Sequence, residues 1–145
     1  MQIEQKQKIE AIFESSSLCV IATIGEDKPE AALIGFSYIP ETLELIFGTF
    51  ENFRKYKNIQ KNNKVAFVIG WDEARTVQYE GMAVELSGEE LLKKEKIYLK
   101  KFPKSKKYLD HKEEKFFKVT PTWLRYRDLS TKPEELFEIN FNDEI

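Results

Sequence analysis

A threonine hydroxyl, a guanidinium and three ammonium groups crowd into residues 48–62, GTFENFRKYKNIQKN. Thr49 offers a donor and acceptor, Arg54 a planar fork able to grip two oxygens, and Lys55 and Lys57 two point charges. The segment leaves an alternating apolar stretch and opens a polar, helix-like one. The start of such a helix adds free backbone N–H groups and a favourable dipole. This is the chemistry a phosphate monoester needs, although a solvated basic helix face has the same composition.

Few other residues could do chemistry. The chain has one cysteine, Cys19, and one histidine, His111, which excludes a disulfide framework and Cys/His zinc clusters. Cys19 lies in the apolar run LCVIATI and reads as a small packed hydrophobe. His111 lies in the charged segment KYLDHKEEK and reads as a solvated helix residue. A Ser-His-Asp or Cys-His mechanism has no support, so difficult chemistry here would come from a bound cofactor.

The elements that must position these groups follow from hydrophobic period. QIEQKQKIEAIFESSS spaces Ile9, Ile12 and Phe13 as an amphipathic helix. LCVIATI, the turn cluster GEDKP and EAALIGFSYI predict two antiparallel strands over residues 18–39. TLELIFGTF alternates Leu43, Leu45 and Phe47 as a third strand, and ENFRKYKNIQKNN reads as a short helix. KVAFVIGW and RTVQYEGMAVELS predict two more strands, the second bent or bulged near Gly81. Residues 89–102 form an amphipathic helix ended by Pro103, and a second helical stretch is expected around 105–114. KFFKVTPTWLRYRDL then supplies a final strand or pair of strands. The acidic tail from Glu134 either adds a short strand or packs loosely.

Antiparallel strands on short turns, with helices at only a few points, favour a closed or split barrel over an alternating βαβ sheet. At 145 residues, 41% hydrophobic and 13% aromatic, the chain reads as one domain with a packed core over 1–145. A net charge of -2 gives no global basic field for nucleic acid or an anionic membrane. The lysines from Lys93 to Lys118 are interleaved with acids and lack a stacking-aromatic motif. MQIEQKQKIE has no signal-peptide core and no run reaches bilayer-spanning length, so a cytoplasmic location is expected.

The ordered segments CVIATIGEDKPEAALIGFSY, LELIFGT, FRKYKNIQKNNKVAFVI and RTVQYEGMAVEL, within residues 19–86, resemble the pyridoxamine 5′-phosphate oxidase-like family. The resemblance implies a mainly β, antiparallel split β-barrel of the FMN-binding type with flanking helices. It implies FMN in a groove between the protomers of a homodimer, its phosphate held by Thr49, Arg54 and Lys55. The strand of Ala32, Leu33, Ile34 and Gly35 is implied to run along the flavin ring and to touch it largely through backbone groups. Thr76 or Gln78 is implied to make a polar contact, and Trp123 to approach the flavin from the partner chain or to serve as barrel core.

One departure is plain. Dedicated pyridoxamine phosphate oxidases carry a C-terminal Arg and His stretch for the substrate phosphate, and the acidic end here has no counterpart. The expected activity is therefore that of a flavin oxidoreductase, moving hydride or electrons between a nicotinamide nucleotide or other donor and a small-molecule acceptor. The alternatives are a flavin-binding or stress-related protein without turnover, or the same groove holding a deazaflavin or haem. Dimerisation has a physical basis too, since a domain of this size struggles to bury a flavin-sized ligand alone.

Overall fold

The structure, a computed structural model, describes residues 1–108 and 114–143. Helix α1, Ile3–Ser15, buries Ile9, Ile12 and Phe13, the three residues its apolar spacing singles out. Strand β1, Leu18–Ile24, alternates so that Cys19, Ile21 and Thr23 face inward. A tight turn closed by Gly25 N–H donating to the Lys28 carbonyl at 2.8 Å leads to β2, Pro29–Gly35. Then follow β3, Ser37–Ile39, β4, Glu44–Phe50, and the short helix α2, Arg54–Lys61. Strands β5, Lys64–Ile69, and β6, Arg75–Glu85, form a hairpin, and α3 spans Gly88–Lys101. A 3-10 segment over Pro103–Tyr108 precedes the long β7, Glu114–Asp128, and β8, Glu135–Asn140.

All strand pairs are antiparallel, in the order β2-β1-β5-β6-β7-β4-β3, with β8 on β7. The sheet curls until β2 approaches β4 without pairing to it, leaving a split barrel with β2 as an edge strand. Its interior is aromatic: Phe47 stacks on Phe117 at 5.3 Å between centroids and meets Phe67 edge-on, while Tyr79 meets Phe67 edge-on at 5.6 Å. Tyr79 is fully buried, and its hydroxyl is satisfied by donation to the carbonyls of Leu43 at 2.8 Å and Val119 at 3.2 Å.

The expected bend near Gly81 is a register shift between Glu80 and Gly81. Opposite it stands Pro121, in the gap where β7 has finished pairing with β4 at Val119 and has not begun pairing with β8 at Trp123. A residue without an N–H is tolerated there because that stretch has no ladder to complete on its second edge. A Cβ on Gly81 would lie 2.5 Å from the Thr120 carbonyl oxygen, so only glycine fits the bulge.

The structure departs from the sequence reading in two places and decides two alternatives it left open. Residues 18–39 give three strands, because after Phe36 the chain leaves β1 and pairs β3 with β4 instead. Of the alternatives left open, residues 114–128 take the single continuous strand, and the acidic tail adds the short strand, β8. Helical structure after α3 is the 3-10 segment 103–108, while the rest of the stretch expected to be helical, with His111, lies outside the described residues apart from Glu114, which opens β7.

Candidate functional site

At the split of the barrel, the inward face of β1 and β2 meets the start of α2 around a cleft of about 340 Å³. Ile21 and Thr23 come from β1, Glu30, Ala31 and Ala32 from β2, and Asn52, Phe53, Arg54 and Lys55 from the turn into α2. The helix begins at Arg54 because Phe53 stands extended before it, and no side chain caps that end. Tyr56 N–H donates to the Phe53 carbonyl at 3.2 Å, which leaves the N–H groups of Arg54 and Lys55, two residues of the cleft lining, without a side-chain cap.

The two cations differ. Lys55 is half-buried and has no carboxylate partner among the described residues. Its Nζ lies 4.8 Å from the centroid of the Phe53 ring, and burial lowers its pKa from the ordinary lysine value. A desolvated ammonium with only a ring face for company is a site short of an anion. Arg54 extends further into solvent and is ion-paired to Glu30, whose side chain is only 12% exposed. The Asn58 amide donates to Glu30 Oε1 at 2.8 Å and to Thr23 Oγ1 at 3.0 Å, so α2, β1 and β2 share one polar network.

Thr49, the third expected phosphate ligand, is buried near the end of β4, and its hydroxyl has no hydrogen-bond partner among the described residues. It lies outside the residues that line the cleft. Lys57 points to solvent. Of the expected flavin-edge strand, Ala32 lines the cleft, Leu33 is 58% exposed, Ile34 is buried, and Gly35 lies beneath Tyr98 and Phe102 of the α3 end. As an edge strand, β2 keeps one row of backbone N–H and C=O groups without sheet partners.

Thr76, Gln78 and Trp123 are elsewhere. They lie on the outer face of β6, three ladders from β2 or roughly 14 Å along the sheet at ordinary strand spacing, and of β7, one ladder further. Gln78 and Trp123 border a separate shallow cleft of about 300 Å³ with Val20, Ala66, Val68 and Glu80. The Thr76 hydroxyl is buried and without a partner among the described residues. Within one protomer these three residues do not join Arg54 and Lys55.

The profile of the family described as pyridoxamine 5′-phosphate oxidase matches residues 5–128, which contain the whole cleft and seven of the eight strands. The chain belongs to this family.

Solved structures of similar fold span several descriptions. A pyridoxamine 5′-phosphate oxidase-related, FMN-binding protein from Nostoc punctiforme is 12% identical, with 99% of this chain and 94% of that chain covered and a TM-score of 0.77. General Stress Protein 26 from Bacillus anthracis is 21% identical, with 94% and 100% covered and a TM-score of 0.72. A heme-binding protein from Mycobacterium smegmatis is 14% identical, with 98% of this chain but 60% of that chain covered and a TM-score of 0.83. At these identities the likeness is one of fold. No curated protein sequence matches the chain.

For this member of the pyridoxamine 5′-phosphate oxidase family, sequence reasoning missed Glu30 and Asn58. Both had a signal. Glu30 shares the period-two parity of Ala32 and Ile34, and Asn58 falls one helical turn after Arg54. Among the described residues no group of acids, cysteine or histidine is placed to hold a metal ion, and no helix is long and apolar enough to cross a membrane.

Proposed function

We propose that this chain binds FMN at the split of its barrel and acts as a flavin oxidoreductase, with a small-molecule acceptor and a nicotinamide nucleotide or other donor. The observation that carries the reading is Lys55: a half-buried ammonium without a counter-ion among the described residues, beside the uncapped start of α2 and the Arg54 guanidinium. A phosphate monoester supplies the missing charge and accepts from the open N–H groups. The Thr49 hydroxyl is buried near the end of β4 and lies outside the cleft lining, so Arg54 and Lys55 are the side chains the phosphate would meet. These residues fit the group.

In this reading Arg54 and Lys55 hold the phosphate, and the free edge of β2 offers peptide donors and acceptors to the rim of a planar ring, with Ala32 small enough to let it approach. When bound, flavin supplies the redox chemistry that the side chains of this chain lack. The outer face of β1, β5 and β6 presents Val20, Ala22, Ala66, Val68 and Met82 around two shallow clefts. We assign that face to a second copy of the chain, which would bring Gln78, Trp123 and the unpartnered Thr76 toward a shared groove.

The test is the absorption spectrum of the purified protein, before and after addition of micromolar FMN. A flavin spectrum, or quenching of FMN fluorescence on titration, is expected. A colourless protein that takes up no FMN overturns the assignment, and a Soret band in its place moves the groove to haem. Rapid mixing of the flavin-loaded protein with NADH and NADPH then separates turnover from binding alone: bleaching of the flavin supports an oxidoreductase, and a flavin that stays oxidised with every acceptor tried leaves a binding protein.

A further inference from the structure

The cleft that we assign to a phosphate already holds an anion of its own. Glu30 faces inward from β2 with its side chain 12% exposed, and its carboxylate is gripped from two sides by groups of α2. Arg54 Nη1 pairs with Oε2, and Asn58 Nδ2 donates to Oε1 at 2.8 Å. The seat is shaped for it. Gly25, in the β1–β2 turn, would place a Cβ 2.8 Å from Oε1, so a side chain there would push the carboxylate away. Among surface ion pairs this one is unusual in having one member nearly buried, in a cleft, and fixed by a second donor.

We propose that Glu30 is a resident competitor for Arg54, a carboxylate that weakens phosphate binding and reserves the cleft for ligands that bring further contacts besides the phosphate. The inference rests on the phosphate-binding reading given above. With Glu30 in place, the cleft lining sets two cations, Arg54 and Lys55, against one carboxylate. An incoming phosphoryl group must share Arg54 with Glu30 and sit within several ångströms of a like charge. Two such charges repel by an amount worth about tenfold or more in affinity at the permittivity of a partly open site. Free inorganic phosphate has only the charge contact to offset that repulsion. A monoester carrying a planar body also gains contact along the β2 edge and the apolar wall of Ile21, Ala31 and Ala32.

Glu30→Gln removes the charge and keeps the shape and the acceptor oxygen for Arg54 or Asn58. Titration by fluorescence quenching compares the two proteins with FMN and with riboflavin, which lacks the phosphate. The expected result is an FMN dissociation constant about tenfold lower in Glu30→Gln, with riboflavin unchanged between the proteins. Glu30→Ala, with circular dichroism to check its fold, should move FMN in the same direction. FMN binding that is equal or weaker in both variants overturns the proposal and makes Glu30 a positioning residue for Arg54. If neither flavin binds the native protein or the variants, the flavin reading itself fails and this inference falls with it.

Discussion

Lys101, in the last turn of α3, donates from its Nζ to the carbonyl oxygen of Ser16 at 2.8 Å, just past the end of α1. It also reaches the Phe13 carbonyl at 3.4 Å and stands 3.9 Å from the centroid of the Phe36 ring. The ammonium thus satisfies carbonyls that a helix leaves open at its C-terminal end, and it does so half-buried. Desolvation pushes its pKa down to about 8, against the smaller upward pull of Glu14 and Cys19.

That shift sets a direction for stability against pH. Between about 8 and the ordinary lysine value of 10.5 the unfolded chain holds a proton at Lys101 that the folded chain has lost, so stability from this group rises with pH across that window. Cys19 works the other way above pH 9, since burial pushes its thiol up to about 12, but a Lys101→Met variant keeps that thiol. Urea unfolding of both proteins at pH 7.5 and pH 9.5 isolates Lys101. The difference between their midpoints should move in favour of the native protein at the higher pH, and an unchanged difference would mean that Lys101 titrates normally.

If the proposed reading holds, removal of either cation of the cleft should weaken FMN. Arg54→Ala and Lys55→Ala each delete a charge-assisted contact, worth roughly 1.5 to 3 kcal/mol. Fluorescence titration reads the change directly. Lys57→Ala, on the solvent side of the same helix, is the control and should leave affinity unchanged.

A charge on the outer apolar face tests the dimer. Val68 is 40% exposed beside Ala66 and Trp123, and Val68→Asp would place a carboxylate where we put the partner chain. Light scattering should give a dimer for the native protein at micromolar concentration and a monomer for the variant. A native monomer would remove the shared groove.

Gly81→Ala addresses the fold. Its Cβ would fall 2.5 Å from the Thr120 carbonyl oxygen and 2.7 Å from Val119 Cγ1, and one contact is to backbone that cannot swing aside. A loss of about 1 to 3 kcal/mol is expected, seen as a Tm lower by several degrees. An unchanged Tm would show that the bulge can shift.

Local pattern carried much of this architecture. Alternation of Leu43, Leu45 and Phe47 in TLELIFGTF and helical spacing in α1 each place the right residues in the main core, because each reflects one face meeting that core. What pattern could not carry is pairing. Nothing in EAALIGFSYI says that its last residues leave β1 for β4, since that switch is set by how the barrel closes. The site divides in the same way. Arg54 and Lys55 are adjacent in sequence and are found together, whereas Glu30 reaches Arg54 only because β2 and α2 meet across the split. Thr76, Gln78 and Trp123 came with the family resemblance, and one protomer leaves them on another face.

The pairing of β4 with β7 joins residues separated by roughly seventy positions, while β6 and β7 together wall in everything between. During synthesis, therefore, the inward side chains of β4, Leu45 and Phe47, have no strand beside β4 on that flank until residues 114–119 have left the ribosome. The barrel closes late, and the nascent chain must grow by nearly half its length with that flank of β4 uncovered, so its yield in the cell should track how well it is shielded over that interval.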